Sequence, residues 1–317
     1  MINRTLVRSK VVQTLFAYYT DGESTPIKAK KELLKSFDNT YSLYMLLLDI
    51  VNELTMLYEK REEQEKERSA VLHLPYEPRR NFINNRFAQQ IFNNRQLRGY
   101  LKEKNFSWDV AHDMLRMLFR QIVSADFFAE YQALREPSYA DDKMVWRRIY
   151  TDVLADNEAL DAALEEMELA LDGGDWAVDA NVVISYVIKT IKLFTESSGK
   201  DQPLLEMFNS NAELAFAKNL LQKAIDGHDE YMQMIENHLK NWELSRVAFM
   251  DIIILQVALA EIIGFPTIAL QVSINEYLEL AKEYSTEKSY AFINGILDSI
   301  VEELKEEDKL IKAVAID

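Results

Sequence analysis

The chain reads as an all-α protein. Glycine and proline are sparse, at 8 and 6 of 317 residues. Nearly every segment spaces its apolar residues with a helical period, and no alternating run is long enough for a strand. Residues 3–20 put Val7, Val11, Leu15 and Tyr18 on one face, with Arg4 and Arg8 four apart on another. Thr25-Pro26 is a cap followed by a proline at the first helical position, which opens a helix over 26–37. A longer helix follows from about Thr40 to Arg68, and its charged end, EKREEQEKERS, reads as a solvated face with i,i+4 pairs. His73 to Pro78 is a turn, and the basic, Asn-rich stretch 79–104 holds one or two helices.

Ser107 caps an apolar helix over about 108–134, which Pro137-Ser138 ends. Helices near 139–155 and 157–170 lead to a turn at Asp172-Gly173-Gly174 and a helix near 176–196. Ser197-Ser198-Gly199 and Pro203 are the clearest punctuation, and they place a domain boundary near residue 200. The expected division is 1–200 and 201–317. Helices near 211–226, 228–240, 245–263, 271–284 and 286–304 complete the chain.

With 48% apolar and 28% charged residues the chain can bury a substantial core. Cysteine is absent, which excludes disulfides, zinc-thiolate sites and thiol nucleophiles. No apolar run is long enough to span a bilayer, and MINRTLVRSKVVQTLFAYYTDG mixes charge with apolar residues unlike a signal peptide. A cytoplasmic location is expected. His73, His112, His228 and His238 form no HExxH pair, and no phosphate-binding or nucleophile-elbow motif occurs. No enzyme activity, metal or cofactor is expected.

The net charge of −16 opposes non-specific nucleic-acid binding, yet two basic islands stand out. Arg4, Arg8 and Lys10 meet no acid before Asp21, and residues 79–104 carry seven Lys/Arg against Glu103 alone. Phe82, Phe87, Phe92 and Tyr100 are interleaved with the second island. It fits either an RNA surface or an amphipathic helix that buries those aromatics under a basic outer face.

The C-terminal third carries the most specific pattern. Trp242 and Arg246 precede FMDIIILQVALAEII; Val272-Ser273-Ile274-Asn275-Glu276 precedes Leu280-Ala281-Lys282; Thr286-Glu287-Lys288-Ser289 precedes Phe292-Ile293-Asn294-Gly295-Ile296-Leu297-Asp298. Near the start, Arg4 and Arg8 precede Val12-Gln13-Thr14-Leu15-Phe16-Ala17-Tyr18. This ordered set resembles the NusB family of transcription antitermination factors, over residues 1–20 and about 205–304. Residues about 60–175 look like an insertion. The resemblance implies two helical-bundle subdomains of the NusB type plus an additional inserted helical region. It also implies RNA contact at Arg4, Arg8, Lys10, Lys288 and Phe292, and partner contact at Phe16 and Asp251.

The implied partners are the NusE-type small-subunit ribosomal protein, boxA RNA of ribosomal RNA transcripts, and the RNA polymerase antitermination complex. Monomer and homodimer both stay open. Read without the resemblance, Phe292 fits a core pattern with Ile296, Leu297 and Ile300, and Lys288, Arg4 and Arg8 fit solvated positions. A helix starting near Thr286 sets Lys288 and Phe292 one turn apart, where a phosphate and a stacked base can be met together. Gly295 is expected to pack inward and let another helix approach.

The chain also departs from the family pattern. Ile252, Gln256 and Ala291 stand where basic residues are frequent, which predicts modest RNA affinity without a partner. A protein-interaction scaffold and an accessory domain of an rRNA-modifying system are the alternatives. The chain has no Gly-rich strand–loop–helix for a methyl donor.

Overall fold

The computed structural model describes residues 1–171, 174, 176–239 and 246–310; Trp242 and the turn residues Asp172 and Gly173 lie outside them. Its α-helices are α1 (Arg4–Thr20), α2 (Pro26–Val71), α3 (Arg86–Asn93), α4 (Arg95–Lys104), α5 (His112–Ser124), α6 (Asp126–Ala133) and α7 (Tyr139–Ile149). They continue with α8 (Glu158–Leu171), α9 (Trp176–Leu193), α10 (Asn211–Asp226), α11 (His228–His238), α12 (Phe249–Gly264), α13 (Leu270–Tyr284) and α14 (Ser289–Glu306). Among the described residues the only strand-like feature is a parallel bridge between Ile2 and Phe208. No described helix is long and apolar enough to cross a membrane.

Several helix starts are set by short polar side chains that satisfy free amides. Asn3 Oδ1 accepts from Leu6 N at 2.9 Å, and Ser138 and Asp141 form a capping box on α7. Two boundaries differ from expectation. The segment 26–71 is one helix, because no proline or glycine interrupts it between Pro26 and Pro75. The expected helix over 108–134 is broken at Ala125, which takes an extended conformation and starts α6. Phe128 then packs against Phe82 and Tyr58, with ring centroids 5.1 and 5.5 Å apart.

The chain forms two compact units. One combines Met1–Phe37 with Met207–Asp317, and the other is Asp38–Glu206. The division therefore falls at residues 37 and 206, where a single cut near residue 200 was expected, and the stretch 60–175 lies within the second unit. The first helix joins the C-terminal unit because its apolar side packs on α10, α12 and α13. Within that unit α12 is buried at every residue from Asp251 to Ile262. A helix apolar all round must be enclosed, and α1, α10, α11, α13 and α14 enclose it.

The second unit has an aromatic core. Trp146 stacks on Phe82 at 4.8 Å, and both are at most 1% exposed. Two of the four island aromatics, Phe82 and Phe87, are therefore core residues, as the amphipathic reading expects. Phe82→Ala would cost about 3–5 kcal/mol through lost burial and a cavity. Urea unfolding followed by tryptophan fluorescence should show it as a lowered midpoint.

Candidate nucleic-acid interface

Both ends of α12 carry a buried acid. Glu261, near the C-terminal end, is fully enclosed. Arg8 donates to it twice, Nε to Oε2 at 2.7 Å and Nη2 to Oε1 at 2.8 Å. Ser273 Oγ and the Tyr277 hydroxyl add bonds of 2.8 and 2.9 Å. Arg8 Nη1 also lies 3.2 Å from Glu276. Burial alone would lower the Arg8 pKa, but the hydrogen bonds and charge of Glu261 leave it raised. Burial pushes the Tyr277 hydroxyl well up, and the charge of Glu261 adds to that, so it stays a donor. This cluster joins α1, α12 and α13.

At the other end, Asp251 in the first turn of α12 is 5% exposed. It accepts from Ser285 Oγ at 2.5 Å and Ser289 Oγ at 2.9 Å. A carboxylate here is favoured by the helix N-terminal dipole. Ser289 also closes the turn by bonding Thr286, with its Oγ 3.2 Å from Thr286 N. The loop 285–288 is thereby tied to the central helix at both of its edges. Lys288 is exposed at the N-cap of α14, and Phe292, one turn later, is half-buried. On the same segment Lys282 Nζ sits 4.7 Å from the Tyr290 ring, which is 39% exposed.

The expected residues are thus sorted by the structure. Arg4, Lys288 and Phe292 reach the surface. Arg8 and Lys10, read as surface cations, are 2% and 1% exposed, so neither presents its charge to a phosphate. Arg8 is drawn inward because Glu261 must be neutralised. Asp251 is likewise internal, held by two serines rather than presented to a partner. Phe16 stays half-buried and packs on Phe249 at 5.4 Å. Phe249 is 42% exposed, so the pair is an open aromatic feature that sequence reasoning missed.

Arg4 and Lys288 are not brought together. Arg4 lies over Phe216 of α10 at 5.1 Å, and Phe216 packs on Phe265 just past the C-terminal end of α12. Lys288 belongs to the Asp251 end. Ser9 and Gln13, which bond Tyr284 beside that loop, lie five and nine residues beyond Arg4 on α1, about 8 and 14 Å along the axis.

Two departures from the family pattern also change meaning. Ile252 is 9% exposed and Gln256 is fully buried, its amide donating to Tyr19 Oη and Ala224 O. Those positions face the interior, so their lack of charge removes no phosphate contact here. Gly295 is exposed, and a Cβ built there meets nothing within 4 Å. No helix approaches it, contrary to expectation. Among the described residues no cluster of His, Asp or Glu could hold a metal ion.

Comparison with known proteins agrees with this picture in the C-terminal part. Residues 178–302 match the NusB family model. The transcription antitermination protein NusB of Finegoldia magna is 46% identical over 89 residues, covering 28% of this chain and 65% of that protein. Its namesake in Salinibacter ruber is 36% identical over 97 residues, covering 31% and 61%. The one in Chloroherpeton thalassium is 40% identical over 101 residues, covering 31% and 48%. The chain therefore spans about half to two thirds of the length of these relatives. No solved structure is significantly similar to it.

Glu261→Gln keeps the shape but leaves Arg8 without a buried counter-charge. It should cost about 3–5 kcal/mol, and the double variant Arg8→Met, Glu261→Leu should recover most of that. Urea unfolding of the full chain, followed by circular dichroism, would show both.

Proposed function

Since residues 178–302 form a NusB family domain, we propose that the protein is a transcription antitermination factor. Together with a NusE-type ribosomal protein, it binds boxA RNA of ribosomal RNA transcripts and helps RNA polymerase resist termination. The observation that carries this reading is the start of α14. There an exposed Lys288 and a half-buried Phe292 stand one turn apart on a loop pinned by Asp251. A backbone phosphate meets the lysine and the helix N-terminus, and an unstacked base meets the ring.

Arg4 offers a second phosphate contact from α1. Arg8 acts from inside by holding α1 to Glu261 of α12. The Phe16–Phe249 pair offers an aromatic anchor of the kind that dominates interface energetics. The net charge of −16 steers a basic ribosomal protein toward it. Of the three cations in α1 only Arg4 is exposed. That favours weak RNA binding alone and a strong dependence on the partner. It is also the observation that favours the second reading, a scaffold that binds the partner without RNA.

The test is fluorescence anisotropy with a short boxA-type RNA, with and without the NusE-type protein. The partner should tighten binding, and added salt should weaken it. Lys288→Glu and Phe292→Ala should each weaken it about tenfold, in line with one lost phosphate contact and one lost stacked base. If the partner binds and RNA adds nothing, the scaffold reading replaces this one.

A further inference from the structure

The second unit carries a charge asymmetry that its own packing does not use up. Residues 79–102 hold six Lys/Arg and no Asp/Glu, in a chain of net charge −16. Some of these cations are structural. Arg86 bonds Asp142 at 2.9 Å, Glu196 at 2.6 Å and the Pro137 carbonyl at 2.8 Å. The corner between α3 and α4 is different. Asn94 ends α3 and caps α4, with Leu97 N donating to its Oδ1 at 3.0 Å and its Nδ2 donating to Gln202 O at 2.8 Å. At 1% exposure it is a rigid pivot, so side chains on either side are held in place before any ligand arrives.

Outside this pivot Phe92 is 53% exposed, while Phe82 and Phe87 of the same island are buried. The guanidinium of Arg98 lies 6.0 Å from the Phe92 ring centroid. Arg95, Arg98 and Lys102 recur at i, i+3 and i+7, on one side of α4. Arg98 is tied to Asp49, which sets its position. Arg95 meets Asp201 at 3.2 Å, with both side chains at least 60% exposed. Such an exposed pair is worth about 0–1 kcal/mol, so a phosphate can displace the aspartate. Between Arg95 and Lys102 lies Gly99, exposed and with open space where a Cβ would be. Its cost to the helix, about 1 kcal/mol relative to alanine, is offset by no packing. The face is therefore clear down to the backbone.

We propose that the α3–α4 corner is a second RNA site, specific for single strands. An unpaired base stacks on Phe92, braced by Arg98, while Arg95 and Lys102 take the flanking phosphates. An exposed ring with cations spaced along a groove is the arrangement that binds single strands with little sequence preference. A duplex would not serve, because its bases are already stacked. The site lies on the second unit and does not use Lys288 or Phe292.

The experiment is anisotropy of the full chain with a 12-nucleotide oligouridine RNA lacking any boxA sequence, across a salt series. Phe92→Ala should weaken binding about tenfold and Phe92→Trp should preserve it. Arg95→Glu with Lys102→Glu should flatten the dependence of log Kd on log salt by about 1.4, the share of two phosphates. Phe292→Ala should leave this RNA's affinity within about twofold, while still impairing boxA-type RNA. Because Phe92 and Lys102 are exposed, melting temperatures should match the parent, which separates lost binding from lost folding. Equal affinity in parent and variants would overturn the proposal. So would binding of a polyglutamate peptide at this corner without binding of the RNA, since that marks a protein-docking face. Unchanged boxA-type binding in Phe292→Ala would sink the α14 reading and leave this one standing.

Discussion

The buried pair of Arg8 and Glu261 is the constraint on which the C-terminal unit depends. A carboxylate enclosed in an apolar helix is tolerated only with a counter-charge and filled hydrogen bonds. Glu261 receives four, from Arg8, Ser273 and Tyr277. The first helix must therefore meet the consecutive helices α12 and α13 in one register. Residues 1–37 cannot be assigned to an N-terminal domain while Arg8 completes a site 253 positions away.

Asp251 does for the opposite end of α12 what Glu261 does for this one, with serines in place of an arginine. The two acids thus tie the central helix to α1 and α13 at one end and to the start of α14 at the other. The exposed groups proposed to meet RNA are the residues left over: Lys288 stands between the two serines that Asp251 holds, Ser285 and Ser289. The proposed surface would rest on polar groups that are largely enclosed, Asp251 and Ser289 above all.

Much of this was legible in the sequence. The helical periods, the cap at Thr25-Pro26, and the ordered C-terminal motifs pointed to the all-α class and to the family pattern. The unread parts have physical causes. Helix breaks at proline or glycine can be seen, but Ala125 carries no such mark. Arg8 looks like any surface arginine until its partner is found, and Glu261 was the available clue. An acid at the far end of a run as apolar as IIILQVALAE has to be neutralised by something. Gly295 was read as a packing glycine because packing is the usual reason for one inside a helix. Here it faces open space, and the structure offers no packing reason for it. The basic island divided in a way no spacing rule predicts, with Phe82 and Phe87 in the core and Phe92 outside.

The central claim is that a rigid interior presents the start of α14 to RNA. Hydrogen exchange of the full chain, measured with and without boxA-type RNA in the presence of the NusE-type protein, tests it most directly. The account predicts RNA-dependent protection of amides over about 286–293, with α12 already protected in both states because it is enclosed. Protection confined to other segments, or none on adding RNA, would contradict it.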